Sequence, residues 1–278
     1  MRTMCLVVWL TVATATAALA GPLEDADAAL ARGDYANAFR MYRPLAEGGN
    51  TTAQAKLGIL YEYGRGTTQD YAAAMKWYRL AAEKGFGGAQ NNIGVMYEDG
   101  LGVPKDYAEA VKWYRRAAAL EYAEAQVNLG NMFEKGLGVA QDYAEAIKLY
   151  RLAVEQNYAP AATRLGGMYH RGLGVPQDVV EAVRLYRRAA DQGDSFGQNS
   201  LGVMYATGQG VPQDDVQAYQ WFTISLALGN TTSAKNLERV AGRMTPAQIA
   251  QAEKLAHAWR PTAAMPSITI RPRKGDTP

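Results

Sequence analysis

The chain has 278 residues and a formal net charge of +2, and so small an excess of cations does not indicate a nucleic-acid-binding protein. Its single cysteine, Cys5, excludes a disulfide within the chain and a metal site built from several thiolates. Composition thus excludes these classes and leaves the fold to be inferred from the order of the residues.

Residues 1–20 are typical of a cleavable secretion signal. Arg2 supplies the positive charge near the N-terminus, residues 5–12 begin an apolar stretch, and residues 18–20 form an Ala-Leu-Ala cleavage site. The apolar stretch is short for a stable membrane span. We expect cleavage after Ala20, a mature chain that contains no cysteine, and a periplasmic or secreted location.

Residues 21–52 predict a partial repeat that caps the N-terminal end of the fold. Apolar residues recur at helical spacing on both sides of a short turn at residues 33–35. Terminal repeats are often atypical because one side has no neighbour to cover it.

Five copies of a 36-residue sequence follow, which we call repeats one to five. The second reads AQNNIGVMYEDGLGVPKDYAEAVKWYRRAAALEYAE, and its pattern returns in the other four. Self-similarity at a fixed period is the signature of a repeat architecture. The repeats are residues 53–88, 89–124, 125–160, 161–196 and 197–232.

Each repeat predicts two helices joined by a glycine turn. In repeat two, Gly100 and Gly102 end the first helix, and Asp106 is the expected N-cap of the second, with Glu109 completing a capping box. Gly94 lies on the buried side of the first helix and predicts a close approach of the two helices. One such pair cannot bury its apolar face alone. We therefore expect an all-α fold, namely an α-solenoid of helix–turn–helix repeats with a right-handed superhelical path.

Two segments close the chain. Residues 233–260 predict a pair of capping helices, the second of which begins at Thr245 as N-cap, with Pro246 at its first position. Residues 261–278 contain four prolines and carry three cations against one anion, a net charge of +2. We expect a disordered basic tail, and the alternative is an electrostatic contact with an anionic surface or partner.

The repeats resemble the Sel-1-like repeat family, relatives of the tetratricopeptide repeats with a longer turn between the helices. The resemblance covers about residues 34–229 and is carried by four elements in a fixed order: Leu-Gly-x-x-Tyr, Gly-x-Gly-Val, an aspartate, and Trp-Tyr-x-x-Ala-Ala. It implies an interaction module that acts as an adaptor in signalling or in the cell envelope. Together with the signal, it predicts a periplasmic protein of a Gram-negative bacterium. The chain departs from the cysteine-rich branch of the family.

The sequence contains no set of residues that predicts catalysis. His170 and His257 are the only histidines and lie in different parts of the predicted fold, and the glycine pairs follow helices rather than the strand that a nucleotide loop requires. We expect no enzyme activity, no cofactor and no metal. An envelope hydrolase that acts on peptidoglycan or β-lactams and a self-associating structural protein remain the alternatives.

The acids that recur after the turns are expected to be helix N-caps: Asp70, Asp106, Asp142, Asp178 and Asp214.

By analogy with tetratricopeptide repeats, the first helix of each repeat lines the concave face. We expect the outward positions two, six, nine and ten residues after the opening residue of each repeat. They predict a groove that is acidic in the early repeats and basic in repeat four, and that binds a protein or peptide partner in one direction. The alternative is a merely solvated helix face.

We expect a monomer, with self-association as the alternative, and we expect no binding of nucleic acid and no stable membrane insertion. The candidate partner-binding residues are Glu62, Asn91, Glu98, Asp99, Asn131, Glu134, His170 and Arg171.

Overall fold

The computed structural model describes residues 21–262, and this part of the chain folds into consecutive antiparallel helix pairs. The predicted all-α solenoid is confirmed. We call the first helix of each repeat an A helix (α3, α5, α7, α9, α11) and the second a B helix (α4, α6, α8, α10, α12). The helices are α1 (Pro22–Ala31), α2 (Tyr35–Glu47), α3 (Thr51–Tyr63), α4 (Tyr71–Glu83), α5 (Gly87–Asp99), α6 (Tyr107–Ala119), α7 (Ala123–Lys135), α8 (Tyr143–Glu155), α9 (Ala159–Arg171), α10 (Val179–Asp191), α11 (Ser195–Thr207), α12 (Asp215–Ala227), α13 (Ser233–Ala241) and α14 (Pro246–Ala258).

Each of the B helices α4, α6, α8 and α10 packs against the A helix before it and the A helix after it, and α12 packs against α11 and α13. Every repeat is therefore held by its neighbours. The A helices α5, α7, α9 and α11 also contact one another in sequence. They therefore form the inner layer of the stack, and the B helices form the outer layer.

The two helices of a repeat approach each other at a glycine, as predicted. A Cβ built on Gly94 would lie 2.6 Å from the ring of Tyr114, well inside van der Waals contact. Gly58, Gly130 and Gly166 meet a tyrosine ring in the same way, and Gly202 meets Phe222. The ring crosses the A helix so closely that the tyrosine hydroxyl reaches the following turn of that helix.

The B helices begin at the predicted aspartate caps, but the predicted capping boxes are wrong in one respect. Asp106 accepts a hydrogen bond from the backbone N–H of Glu109. The Glu109 side chain does not return the bond and pairs with Lys112, at 2.8 Å, because that cation lies one turn further along the same helix face. Glu145 and Glu181 likewise pair with Lys148 and Arg184. A complete capping box forms at α14, between Thr245 and Gln248.

Successive repeats are joined by an arginine of one B helix and an aromatic side chain of the next A helix. Arg79 donates a hydrogen bond to the Tyr97 hydroxyl at 3.2 Å, and Arg151 donates one to Tyr169 at 2.9 Å. Arg187 and Tyr205 form the same pair. The series repeats every 36 residues, so one contact type stabilises several interfaces of the solenoid.

The C-terminal helices α13 and α14 both pack against α12. The Trp259 ring meets the Trp221 ring edge to face, with centroids 6.4 Å apart. Beyond α14, the backbone N–H of Thr262 donates a 2.8 Å hydrogen bond to the carbonyl of Asp191, at the end of α10. The predicted signal (residues 1–20) and all but the first two residues of the predicted tail (261–278) lie outside the described residues.

Candidate functional site

The A helices form the wall of a groove of about 980 Å³ that runs from the end of α3 to α11, and we call it the concave groove. The helices α7 and α9 turn matching positions toward it. In α7 these are Glu124, Asn128, Asn131 and Lys135, whose spacing of four, three and four residues places them on one helix face. The matching residues of α9 are Pro160, Arg164, Gly167 and Arg171.

The groove-facing positions therefore include the residue before the opening residue of a repeat and those three, six, nine and ten residues after it. The predicted positions six, nine and ten all include residues that line the groove. The groove includes seven of the predicted binding residues: Glu62, Glu98, Asp99, Asn131, Glu134, His170 and Arg171.

The placement predicted for Asn91 is wrong. Asn91 is completely buried between α5 and α7, where its Oδ1 accepts a 2.9 Å hydrogen bond from Nδ2 of Asn128. The matching Asn199 accepts a 3.0 Å hydrogen bond from Nδ2 of Asn236, and the matching Thr163 instead donates its hydroxyl to Asp194. In α5 this position faces α7, so Asn91 does not contribute an amide to the groove but orients Asn128, which does line it. In repeats three to five the same position does line the groove, through Val127, Thr163 and Asn199.

The groove acids Glu62, Glu98 and Glu134 were predicted to face a partner, but their carboxylates accept hydrogen bonds from tyrosines of the same chain. Glu62 accepts a hydrogen bond from the Tyr78 hydroxyl at 2.6 Å and is only 2% exposed. Glu98 accepts one from Tyr114 at 2.7 Å. The reason is helical: each glutamate lies four residues after the glycine that packs on the tyrosine ring, so both share one helix face. These acids form the edge of the groove and are fixed by the core.

Glu134 joins the acidic and basic parts of the groove. It accepts hydrogen bonds of 2.8 Å from the Tyr150 hydroxyl and from Nη2 of Arg171, and Tyr150 also contacts Asn131 at 2.9 Å. Burial acts to raise the pKa of Glu134, but the hydrogen bonds from Arg171 and Tyr150 and the charge of Arg171 outweigh it, and the pKa is lowered overall. The predicted boundary between acidic and basic repeats is thus bridged by an ion pair.

Repeat four has a histidine in place of the glutamate. Nε2 of His170 lies 2.8 Å from Oε1 of Gln209, and its ring meets the Tyr186 ring edge to face. Burial raises the pKa of Tyr186 to about 12, and the charge of Arg171 opposes this shift. The hydroxyl therefore stays protonated at neutral pH and can donate a hydrogen bond.

Among the groove residues that were missed in the sequence are Asn128, Arg164, Phe196 and Ser200. Arg164 is exposed and has no ion-pair partner among residues 21–262, and Phe196 is 45% exposed although it is large and apolar. The signal that identifies Phe196 is its position, because the matching residues are Gly88, Glu124 and Pro160 and packing does not require an aromatic ring there.

Within residues 21–262, no group of three or more histidine, cysteine, aspartate or glutamate residues is placed to hold a metal ion. His170 lies on α9 and His257 on α14. None of the helices described here is both long and apolar enough to cross a membrane.

The solenoid of helix pairs and its inner groove place this chain in the class of helical-repeat proteins. The model of the Sel1 repeat matches residues 51–86, 88–122, 123–158, 159–194 and 195–230, which is more than half of the chain. The chain belongs to the Sel1 repeat family, whose members are generally scaffolds for protein–protein interactions. None of the curated proteins compared with the chain matches it.

Similar solved structures agree with this family. A Sel1 repeat protein from Oxalobacter formigenes is 33% identical, with a TM-score of 0.71, and the match covers 85% of this chain and 97% of that protein. The protein c5321, a protective antigen of uropathogenic Escherichia coli with an SLR fold, is 34% identical over 81% of this chain, with a TM-score of 0.63; the match spans 49% of c5321. The immunity protein Pa5087 from Pseudomonas aeruginosa is 20% identical over 75% of this chain and 84% of its own, with a TM-score of 0.56, and it shows the fold alone.

Proposed function

We propose that this protein is a non-enzymatic scaffold that binds a partner protein or peptide in the concave groove, in the periplasm or outside the cell. The observation that carries the proposal is that several groove side chains have no role in packing. Lys135 and Arg164 are exposed cations on neighbouring A helices, and Phe196 is an exposed aromatic ring beside them. Exposed aromatic and arginine side chains in a concavity are typical of the residues that dominate binding energy.

Asn128 supports a peptide as the occupant. Because its Nδ2 donates to the buried Asn91, its orientation is fixed and its oxygen is left to accept a hydrogen bond in the groove. A fixed acceptor beside apolar side chains such as Val95 and Phe196 suits an extended chain, which offers backbone N–H groups and alternating side chains.

The proposed location depends on residues 1–20, which lie outside the described residues. Expression of the full chain in a Gram-negative host tests it. We expect the protein in the periplasmic fraction or the medium, with an N-terminal sequence that starts at Gly21. Uncleaved protein in the cytosol would overturn the proposed location without affecting the proposed binding.

Affinity capture with residues 21–278 as bait tests the binding proposal. The groove variant is Lys135→Ala/Arg164→Ala/Phe196→Ala. The matched control removes two cations and one exposed apolar side chain from B helices, in Lys148→Ala/Arg184→Ala/Leu152→Ala. Circular dichroism first establishes that both variants keep the helical fold.

We expect one partner to be recovered with the unaltered chain and with the control variant, and to be lost with the groove variant. Equal recovery with all three baits would move the binding surface away from the groove. If no bait recovers a partner, the scaffold proposal fails. Light scattering and turnover assays on the same samples then decide between self-association and the hydrolase, neither of which is favoured by a specific observation.

A further inference from the structure

In most repeats a tyrosine of the B helix donates a hydrogen bond to an acid of the A helix, and one repeat has the tyrosine without the acid. Tyr78, Tyr114 and Tyr150 each donate to a glutamate of their own repeat, and in the N-terminal partial repeat Tyr42 donates to Asp27 at 2.5 Å. Repeat five lacks both members of the pair and has Phe222 and Ala206. Repeat four keeps the tyrosine, Tyr186, but has His170 in place of the acid.

Tyr186 is therefore a buried tyrosine whose hydroxyl has lost its acceptor. The side chain is only 5% exposed, and within the described part of the chain its hydroxyl makes no hydrogen bond. Tyr186 lines the concave groove and also a small pocket of about 100 Å³ between α9, α10 and α11. We call this small pocket the Tyr186 pocket, and its lining residues are His170, Tyr186, Asn199, Ser200, Val203 and Met204.

The space beside the hydroxyl is kept open by Gly167, which stands where repeat three has Asn131. A Cβ built on Gly167 would lie 3.8 Å from the Tyr186 hydroxyl oxygen and 3.7 Å from Nη2 of Arg171. The hydroxyl and the guanidinium group thus face the same open space. Ser200 adds a second hydroxyl to its wall.

We propose that the Tyr186 pocket binds a carboxylate of the partner, supplied by an acidic side chain or by a C-terminus. The chain itself supplies the template, because a carboxylate accepts the tyrosine hydroxyl at the matching place in repeats one to three. In repeat four the carboxylate belongs to the partner, and the hydroxyls of Tyr186 and Ser200 donate hydrogen bonds to it. The inference rests on the proposed function and specifies the chemistry that one end of the partner presents.

The charges around the pocket favour an anion. Arg164 is an exposed cation in the same wall of the groove, and no ion pair within residues 21–262 neutralises it. The nearest acids are already neutralised or bound: Glu134 pairs with Arg171, and the buried Asp194 accepts bonds from the Gly197 N–H and the Thr163 hydroxyl. Hydrogen bonds to an ionised acceptor are stronger than neutral ones, so a carboxylate gains more here than an amide of the same shape.

Three small probes separate the possible sources of the carboxylate. N-acetylglutamate N-methylamide carries a side-chain carboxylate, N-acetylalanine carries a terminal one, and N-acetylglutamine N-methylamide is the neutral control. Each is titrated into residues 21–278 while NMR follows the resonances of the pocket residues. We expect at least one acid to shift them with a dissociation constant that is at least tenfold lower than that of the neutral probe.

Two variants have precedents in the chain itself, so both are expected to fold. Tyr186→Phe introduces the residue that repeat five has at this place and removes the donor. His170→Glu introduces the acid that repeats one to three have at this place and fills the acceptor position from within. We expect each to weaken binding of the acid by about tenfold or more. The matched control Tyr78→Phe removes a hydroxyl in repeat one and leaves the affinity for the acid unchanged.

A response to one acid alone identifies its kind of carboxylate as the source and supports the proposal. Equal responses to the acid and the neutral probe, or unchanged affinity in Tyr186→Phe, would overturn it. So would the lack of any response to both acids. None of these results touches the proposed scaffold function, which the capture with the groove variant decides.

Discussion

Tyr150 donates a 2.8 Å hydrogen bond to Oε2 of Glu134, 16 residues earlier, while its ring edge lies against Gly130. One side chain thus fills the interface between α7 and α8 and fixes an acid at the edge of the concave groove. The packing of the core and the electrostatics of the groove are therefore set by the same residue. Removing the glutamate would take one of two acceptors from the Tyr150 hydroxyl and the ion-pair partner from Arg171, so Glu134 is a poor choice for a variant that tests binding alone.

We expect Glu134→Gln to lower the free energy of unfolding by about 1–3 kcal/mol at neutral pH. Because folding lowers the pKa of Glu134, its stabilising effect is present above the pKa of an unfolded glutamate, about 4.3, and is lost as the pH falls through the lower pKa of the folded state. Urea unfolding of both proteins at pH 7 and at low pH measures this, and the difference should shrink in acid.

The control for this prediction is Glu145→Gln, which breaks an exposed pair with Lys148. An exposed pair contributes little, so the change should be about 0.5 kcal/mol or less at either pH. A Glu134→Gln variant that behaves like this control would show that Glu134 does not stabilise the repeat through its buried partners.

Two adjacent glycines in α9 should respond in opposite directions to alanine. A Cβ on Gly166 would lie 2.8 Å from the Tyr186 ring, so Gly166→Ala should cost about 1–3 kcal/mol of stability. A Cβ on Gly167 meets nothing closer than 3.7 Å, and Gly167→Ala should stabilise the protein by about 0.5–1 kcal/mol through helix propensity. Thermal unfolding of the two variants measures both signs, and equal losses would contradict the packing geometry.

The period of the sequence was enough to predict the helix pairs, their turns and their order. It was not enough to predict the groove face, because one residue along a helix corresponds to a rotation of about 100°. The prediction placed Asn91 in the groove, whereas Asn91 is buried against Asn128 of α7. The same position lines the groove in repeats three to five, so the period alone does not give which copies of a position are buried.

The sequence contains a signal for the hydrogen bonds between the groove glutamates and the tyrosines of their own repeats, although these bonds were not predicted. Glu62, Glu98 and Glu134 each precede a tyrosine by 16 residues, and in repeat five the glutamate and the tyrosine are both replaced. Variation in pairs indicates contact. The ion pair between Arg171 and Glu134 could not be predicted from the sequence pattern, because it depends on the distance between α7 and α9.

Glu121 should be an unfavourable residue at the end of its B helix. It has φ = +58°, whereas the matching residues Gly85, Gly193 and Gly229 adopt positive φ without a side chain. We expect Glu121→Gly to raise the free energy of unfolding by about 1 kcal/mol. Ala119→Gly, at the last residue of α6, is the control and should lower it by less than about 1 kcal/mol, because the cost of glycine is largest in a helix interior. If both variants lose stability, the strain at Glu121 is relieved by contacts of its side chain.

One interface between repeats lacks a hydroxyl that the others have, and Phe133→Tyr should supply it. The guanidinium of Arg115 lies 5.3 Å from the centre of the Phe133 ring, whereas Arg79 and Arg151 donate hydrogen bonds to tyrosine hydroxyls at the matching places. We expect a gain of about 0.5–1 kcal/mol in the free energy of unfolding.

A double-mutant cycle assigns that gain to its contact. Phe133→Tyr is measured by urea unfolding in the natural chain and in the Arg115→Ala variant, and Tyr97→Phe serves as the reverse substitution in the preceding interface. The gain should disappear without Arg115, and Tyr97→Phe should lose a similar amount. A gain that persists in Arg115→Ala would mean that the new hydroxyl bonds another group, and the arginine–aromatic series would then stabilise this interface by stacking alone.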